Sequence, residues 1–172
     1  DAKNHGVKVK EICINRSEWN HSLENKGESC LDLRLGFRQI KGLSKNDVDR
    51  IIEERGNGYN DPQDLWHRIR LSPSVIKLLV KASSFHSLNK NRRLLLWDAQ
   101  AIKKTNSLAL FEGYSEKEYL PEKSVNLPNM TSGEELILDY QSLRLSLSTH
   151  PVKLLRPFLR KSFIEKYCAS SV

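Results

Sequence analysis

The chain has 172 residues, a net charge of +7 and 38% apolar residues, enough for one domain or two small ones around a modest core. No apolar run approaches the roughly 18 residues of a membrane span, and the polar opening Asp1–Gly6 does not read as a signal peptide. The three cysteines, Cys13, Cys30 and Cys168, match neither a zinc spacing nor a disulfide framework and read as reduced thiols of a cytosolic protein.

In chain order, the opening residues read as the tail of a helix stopped by Gly6, which leads us to expect a piece of a longer protein. Val7–Ile14 alternates apolar and polar residues and reads as a strand; Leu31, Leu33 and Leu35 alternate with Asp32 and Arg34 and read as a second. Asn15–Ser29, rich in polar residues, reads as a loop anchored by Trp19. From Gly36 the period turns helical. Ser44 stands where an N-cap belongs, with Asp47 three residues on as its capping-box partner, and Val48, Ile51 and Ile52 form the apolar stripe of a helix ending near Gly56 or Gly58. Asp61-Pro62 and Ser72-Pro73 open two more helices, burying Leu65, Trp66 and Ile69, and Val75, Ile76, Leu79 and Val80. A turn at Ser83-Ser84 leads to a helix from about Lys90 to Lys103, carrying Leu94 to Trp97. Thr105–Thr131 reads as an acidic linker. Ser132 is expected to cap a last helix from Glu134 to about Leu143 with Leu136, Ile137 and Tyr140 on one face. The basic tail after Pro151 has no assigned fold.

Charge is unevenly distributed. Between His67 and Lys104 nine basic residues face the single acid Asp98, a local +8 that leaves −1 for the rest, whereas Glu112–Asp139 carries seven acids against Lys117 and Lys123. A one-sided basic run inside a folded segment suggests a polyanion partner. Ile40-Lys41-Gly42-Leu43-Ser44 has the pattern of a helix-hairpin-helix: an apolar residue, a glycine that permits a tight turn, another apolar residue, then a capped helix. The first N–H groups of that helix have no partner within it, and with the positive end of the helix they form a phosphate site. Leu79–Phe85 is a second candidate hairpin, in which Ser83 replaces the expected glycine.

These segments resemble a known family. Leu33–Leu43 is similar to the entry of the tandem helix-hairpin-helix domain of bacterial family C DNA polymerases, the polymerase III alpha subunit type. Ala82–Leu88 followed by Arg92 resembles that domain's second hairpin; Asp1–Val7 with Ile14–Trp19 resembles the end of its fingers region. Leu127–Glu135 and Leu145–Pro151 resemble the stretch before its oligonucleotide-binding domain. Trp19, Leu33–Gly36 and Pro128–Glu134 look closer to the error-prone branch, and the likeness spans about Asp1 to Arg156. It implies a mainly α fold: a tandem helix-hairpin-helix domain with a small N-terminal β element and a C-terminal helical extension. The expected divisions are 1–35 (end of fingers), 36–104 (hairpin domain), 105–131 (acidic linker) and 132–172 (helical segment).

The expected function is non-sequence-specific binding to the DNA backbone within a bacterial, cytoplasmic DNA-directed polymerase. The residues expected to do it are Lys41, Gly42, Leu43, Lys45, Ser83, Lys90, Arg92 and Arg93. The resemblance implies that the whole polymerase uses Mg²⁺ held by palm carboxylates. Here no catalytic or metal residue and no small-molecule substrate is expected, since Asp47 and Asp49, two apart on a helix, point to different sides. Ser107, Leu108, Leu110 and Phe111 resemble a sliding-clamp motif, with Ser107 in place of its glutamine. The alternatives are therefore a docking module for the clamp or an accessory protein, a replicative rather than error-prone parent, and a helix-hairpin-helix repair glycosylase, which shares only the first hairpin.

Overall fold

The computed structural model describes residues 5–25, 31–88, 90–102 and 127–159. Three short strands, β1 (Val9–Lys10), β2 (Ser22–Asn25) and β3 (Leu31–Arg34), precede five helices: α1 (Lys45–Glu53), α2 (Pro62–Ile69), α3 (Pro73–Lys81), α4 (Arg92–Ala101) and α5 (Ser132–Leu143). Single 3₁₀ turns cover Phe37–Gln39 and His86–Leu88, and residues 151–159 are helical. The fold is mainly α, as expected. Gly6 takes a left-handed φ of +78°; the helix tail expected before it falls largely on residues 1–4, outside the described residues, as do the last residues of the basic tail.

The β element differs from the expectation. It has three strands in the order β1-β3-β2, with β1 parallel and β2 antiparallel to β3, so a strand lies in what reads as a loop. The face of β3 that is covered is the charged one. Asp32 and Arg34 are buried while Leu31 is 50% exposed. Lys10 of β1 bridges Glu24 of β2 (2.7 Å) and Asp32 (2.9 Å), and Glu24 also pairs with Arg34. Alternation alone cannot choose a face when the neighbouring strands supply complementary charges. The Arg34 and Lys10 hydrogen bonds hold the Glu24 carboxyl at about 2 instead of the ordinary 4.5. A depressed carboxyl stabilises the fold fully above its unfolded value and loses that contribution as pH falls towards the folded one. The melting-temperature gap between the parent and Glu24→Gln should therefore be constant near neutrality and close between pH 4.5 and about 2. A gap unchanged at pH 2 would count against the pairing.

The helices begin where the caps foretell. Ser44, Asp61 and Ser72 each accept the N–H three residues on, and Asn91 accepts that of Arg93. Two details differ. The Asp47 carboxylate takes the Ser44 hydroxyl (2.8 Å), so that capping box is only half built. The cap of α5 is Thr131, which forms a complete box with Glu134. One core joins the β element to the helices: Ile12, Ile14, Phe37, Val48, Ile51, Leu65, Ile76, Leu79 and Phe85 are all buried in it. Each such side chain contributes about 1.5–3 kcal/mol on burial. Gly36 is needed where β3 leads into the first hairpin, because a Cβ there would stand 2.3 Å from the Asn20 carbonyl carbon and oxygen.

In α5, Leu136 and Leu143 face inward, but Ile137 is 58% and Tyr140 41% exposed, contrary to the expected face. The helix is rotated by polar ties. The Ser142 carbonyl accepts from Lys41 N–H (2.9 Å), the Leu143 carbonyl from Gln39 Nε2 (2.8 Å), and the Ser142 hydroxyl reaches the Lys81 carbonyl (3.2 Å). The end of α5 thus sits between the two hairpins.

Candidate nucleic-acid interface

The first hairpin runs from the Phe37–Gln39 turn through Ile40 to the start of α1. Ile40 and Leu43 are buried and anchor it, while Lys41, Gly42, Ser44 and Lys45 are exposed. Gly42 has φ +84°, a conformation other residues adopt only at a cost of about 1–2 kcal/mol. Its nearest neighbour in the direction of a side chain is Leu78 of α3, whose Cδ1 would lie 3.7 Å from a Cβ. The Leu43 N–H leans towards the Ile40 carbonyl at 3.4 Å, a long contact. Among the described residues no acceptor meets the N–H groups of Gly42, Lys45 or Asn46. The Lys45 and Asn46 donors belong to the positive start of α1, and the Gly42 donor lies just before it, beside two lysines.

The nearness of Leu78 brings in two cations that the linear sequence did not assign to the site. The outer face of α3 carries Ser74, Lys77, Leu78 and Lys81, at helical spacing opposite buried Ile76, Leu79 and Val80. Lys41, Lys45, Lys77 and Lys81 form no ion pair among the described residues. Leu78 near Gly42 and the ties of Lys41 N–H and the Lys81 carbonyl to Ser142 bring the end of α3 near the first hairpin.

The second hairpin is built differently. α3 ends with the Ser83 N–H on the Val80 carbonyl (3.0 Å) and the Ser84 N–H on the Leu79 carbonyl (3.1 Å), with Ser83 left-handed at φ +57°. That is the helix end in which glycine is favoured, so Ser83 does occupy a glycine position, but with its amide already used. Replacing Ser83 with Gly should stabilise the fold by about 0.5–1 kcal/mol, the left-handed strain less the added freedom of the unfolded chain. Chemical denaturation measures this, and a Ser83→Gly protein no more stable than the parent would refute it.

The expected cations of this region are tied to carboxylates. Arg92 is the clearest case: its side chain is only 10% exposed, bonded to Asp139 (2.8 Å) and to the Lys81 carbonyl. It braces α4 against α5. Arg93 pairs with Glu134 (2.7 Å), and Lys90 lies 3.7 Å from Asp61. In α2, Arg68 pairs with Asp64 and Arg70 covers the Trp66 ring at 4.3 Å. Beside the second hairpin a cleft of about 330 Å³ is lined by Ser83, His86, Lys90 and Arg92, but also by Glu11, Glu135 and Asp139. Ser107, Leu108, Leu110 and Phe111, and the linker as far as residue 126, lie outside the described residues.

A family model described as a helix-hairpin-helix motif matches residues 6–95, just over half of the chain. The chain belongs to the helix-hairpin-helix family. The match includes the β element and both hairpins. Over 157 residues the chain is 45% identical to the error-prone DNA polymerase of Ruegeria pomeroyi, covering 91% of this chain and 14% of that protein. It is 39% identical over 177 residues to that of Sinorhizobium medicae and 37% over 179 to error-prone DNA polymerase 1 of Rhizobium meliloti, each covering 91% of this chain and 16% of the relative. The chain thus spans about one-seventh of these relatives' length. They overturn the alternative of a replicative parent: all three are error-prone polymerases, as the Trp19 and Leu33–Gly36 segments suggested.

Proposed function

We propose that this chain is a DNA-binding part of an error-prone DNA polymerase, gripping the sugar-phosphate backbone without reading bases. The observation that carries the reading is the first hairpin: the amides of Gly42, Lys45 and Asn46, which meet no acceptor among the described residues, and the lysines Lys41, Lys45, Lys77 and Lys81, which form no ion pair among them. Backbone N–H groups and lysines at a helix start hold phosphate and position a duplex without sequence information. The Asp47 carboxylate lies on the same turn and tempers the local charge. The family match and the relatives' printed names support DNA as the partner and polymerase as the setting. Polymerase chemistry is named for the whole relatives and is proposed, together with the Mg²⁺ the resemblance implies, for a parent protein.

The test is a titration of labelled duplex DNA with the 172-residue chain at rising salt. Four neutralised phosphates give a log–log slope of about −3.5, with similar affinity for unrelated sequences. Salt-independent binding, or strong preference for one sequence, would overturn the reading.

A further inference from the structure

We propose that the two hairpins have different partners: the first alone grips the DNA backbone, while the second is a socket for the chain's own N-terminal β element and is closed to phosphate. This rests on the DNA reading above and narrows it to one hairpin.

Three observations support it. In the second hairpin the Ser83, Ser84 and His86 amides are bonded within the turn itself. Ser83 and Ser84 close the end of α3, and the His86 N–H is bonded back to the Ser83 carbonyl (3.1 Å). The hairpin is also tied to the N-terminal segment, although His86 and Ser87 stay exposed. The Ser84 carbonyl accepts from the Ile14 N–H (2.8 Å), the Cys13 thiol meets the Ser87 hydroxyl (3.3 Å), and Ser84 and Phe85 are wholly buried. The segment after β1 is therefore bonded directly to the second hairpin.

Charge gives the third. The cleft beside this hairpin presents three carboxylates, Glu11, Glu135 and Asp139, against Lys90 and Arg92, and Arg92 is already bonded to Asp139. A phosphate entering it would meet net negative charge at close range, where screening is weakest. The first hairpin has the opposite arrangement, with lysines unpaired among the described residues and an exposed Gly42. Sequence pattern makes the two hairpins look like repeats; burial and charge make one a grip and the other a hinge-pin between the β element and the helices.

Two paired charge reversals separate the possibilities, read by anisotropy with a labelled duplex of about 20 base pairs near 0.15 M salt, where exposed charges are screened beyond about 8 Å. Circular dichroism melts confirm that each variant folds. Lys41→Glu with Lys77→Glu should weaken binding about 100-fold and reduce the salt slope by about 2. Lys90→Glu with Arg93→Glu should change affinity less than about fivefold and leave the slope unaltered. If both pairs weaken binding and flatten the slope alike, the one-hairpin proposal is wrong and the DNA reading stands. If only the second pair does so, the assignment of the grip is reversed. If neither pair matters, or the parent chain does not bind, the DNA reading itself falls.

Discussion

Lys41→Glu combined with Lys81→Glu is expected to weaken duplex binding about 100-fold at moderate salt, equally for unrelated sequences, with little change in thermal stability. Each reversal exchanges an attraction to phosphate for a repulsion, roughly tenfold in affinity at an exposed site. Both side chains are exposed and unpaired among the described residues, so nothing in the fold is left without a partner. The two residues are 40 apart in sequence. Their combined effect tests whether the ties of Lys41 N–H and the Lys81 carbonyl to Ser142 place them on one surface. The effect should shrink at high salt as the contribution from released counterions is lost. Loss confined to one DNA sequence, or an affinity within twofold of the parent, would contradict the assignment.

Asp139→Ala is expected to destabilise the fold by about 3 kcal/mol, a drop of about 10 °C in melting temperature for a chain of this size. The substitution leaves the Arg92 guanidinium, 10% exposed, without its carboxylate. It also removes the acceptor of the Ser146 hydroxyl (2.9 Å). Breaking one partner of a nearly buried pair is costly because the remaining charge stays desolvated. Replacing both, with Arg92→Met and Asp139→Leu, should recover much of the loss, since apolar side chains of similar volume fill the same space without an unpaired charge. Both variants, where folded, should bind duplex DNA as the parent does. An Asp139→Ala protein as stable as the parent, or one that is stable but no longer binds DNA, would show that Arg92 is not the strut between α4 and α5.

Much of the helical architecture was legible from local chemistry. Ser44, Asp61 and Ser72 cap the helices that follow them, and Pro62 and Pro73 occupy the first helical positions. These signals survive because a cap acts within one turn of its own helix. The glycine turn at Gly42 was readable for the same reason. β2, by contrast, was hidden in a polar stretch, because its pairing with β3 depends on Glu24 meeting Arg34 and Lys10 and not on an apolar face. The face of α5 was misread because Ser142 and Asp139, polar residues, make its inward contacts while Ile137 and Tyr140 stay outside.

The order of residues determined by itself that this chain is strongly basic between His67 and Lys104, that it folds mainly as short capped helices, and that a glycine-turned helix start lies at Gly42. Which cations remain available was decided only by tertiary structure. Asp61, Glu134 and Asp139, distant in sequence, come to lie against Lys90, Arg93 and Arg92, while Ser142 ties the Lys41 and Lys81 backbones together from 40 residues apart. Net charge is a sum over a sequence, but a phosphate responds to the charge within a few ångströms of it, and folding sets those distances.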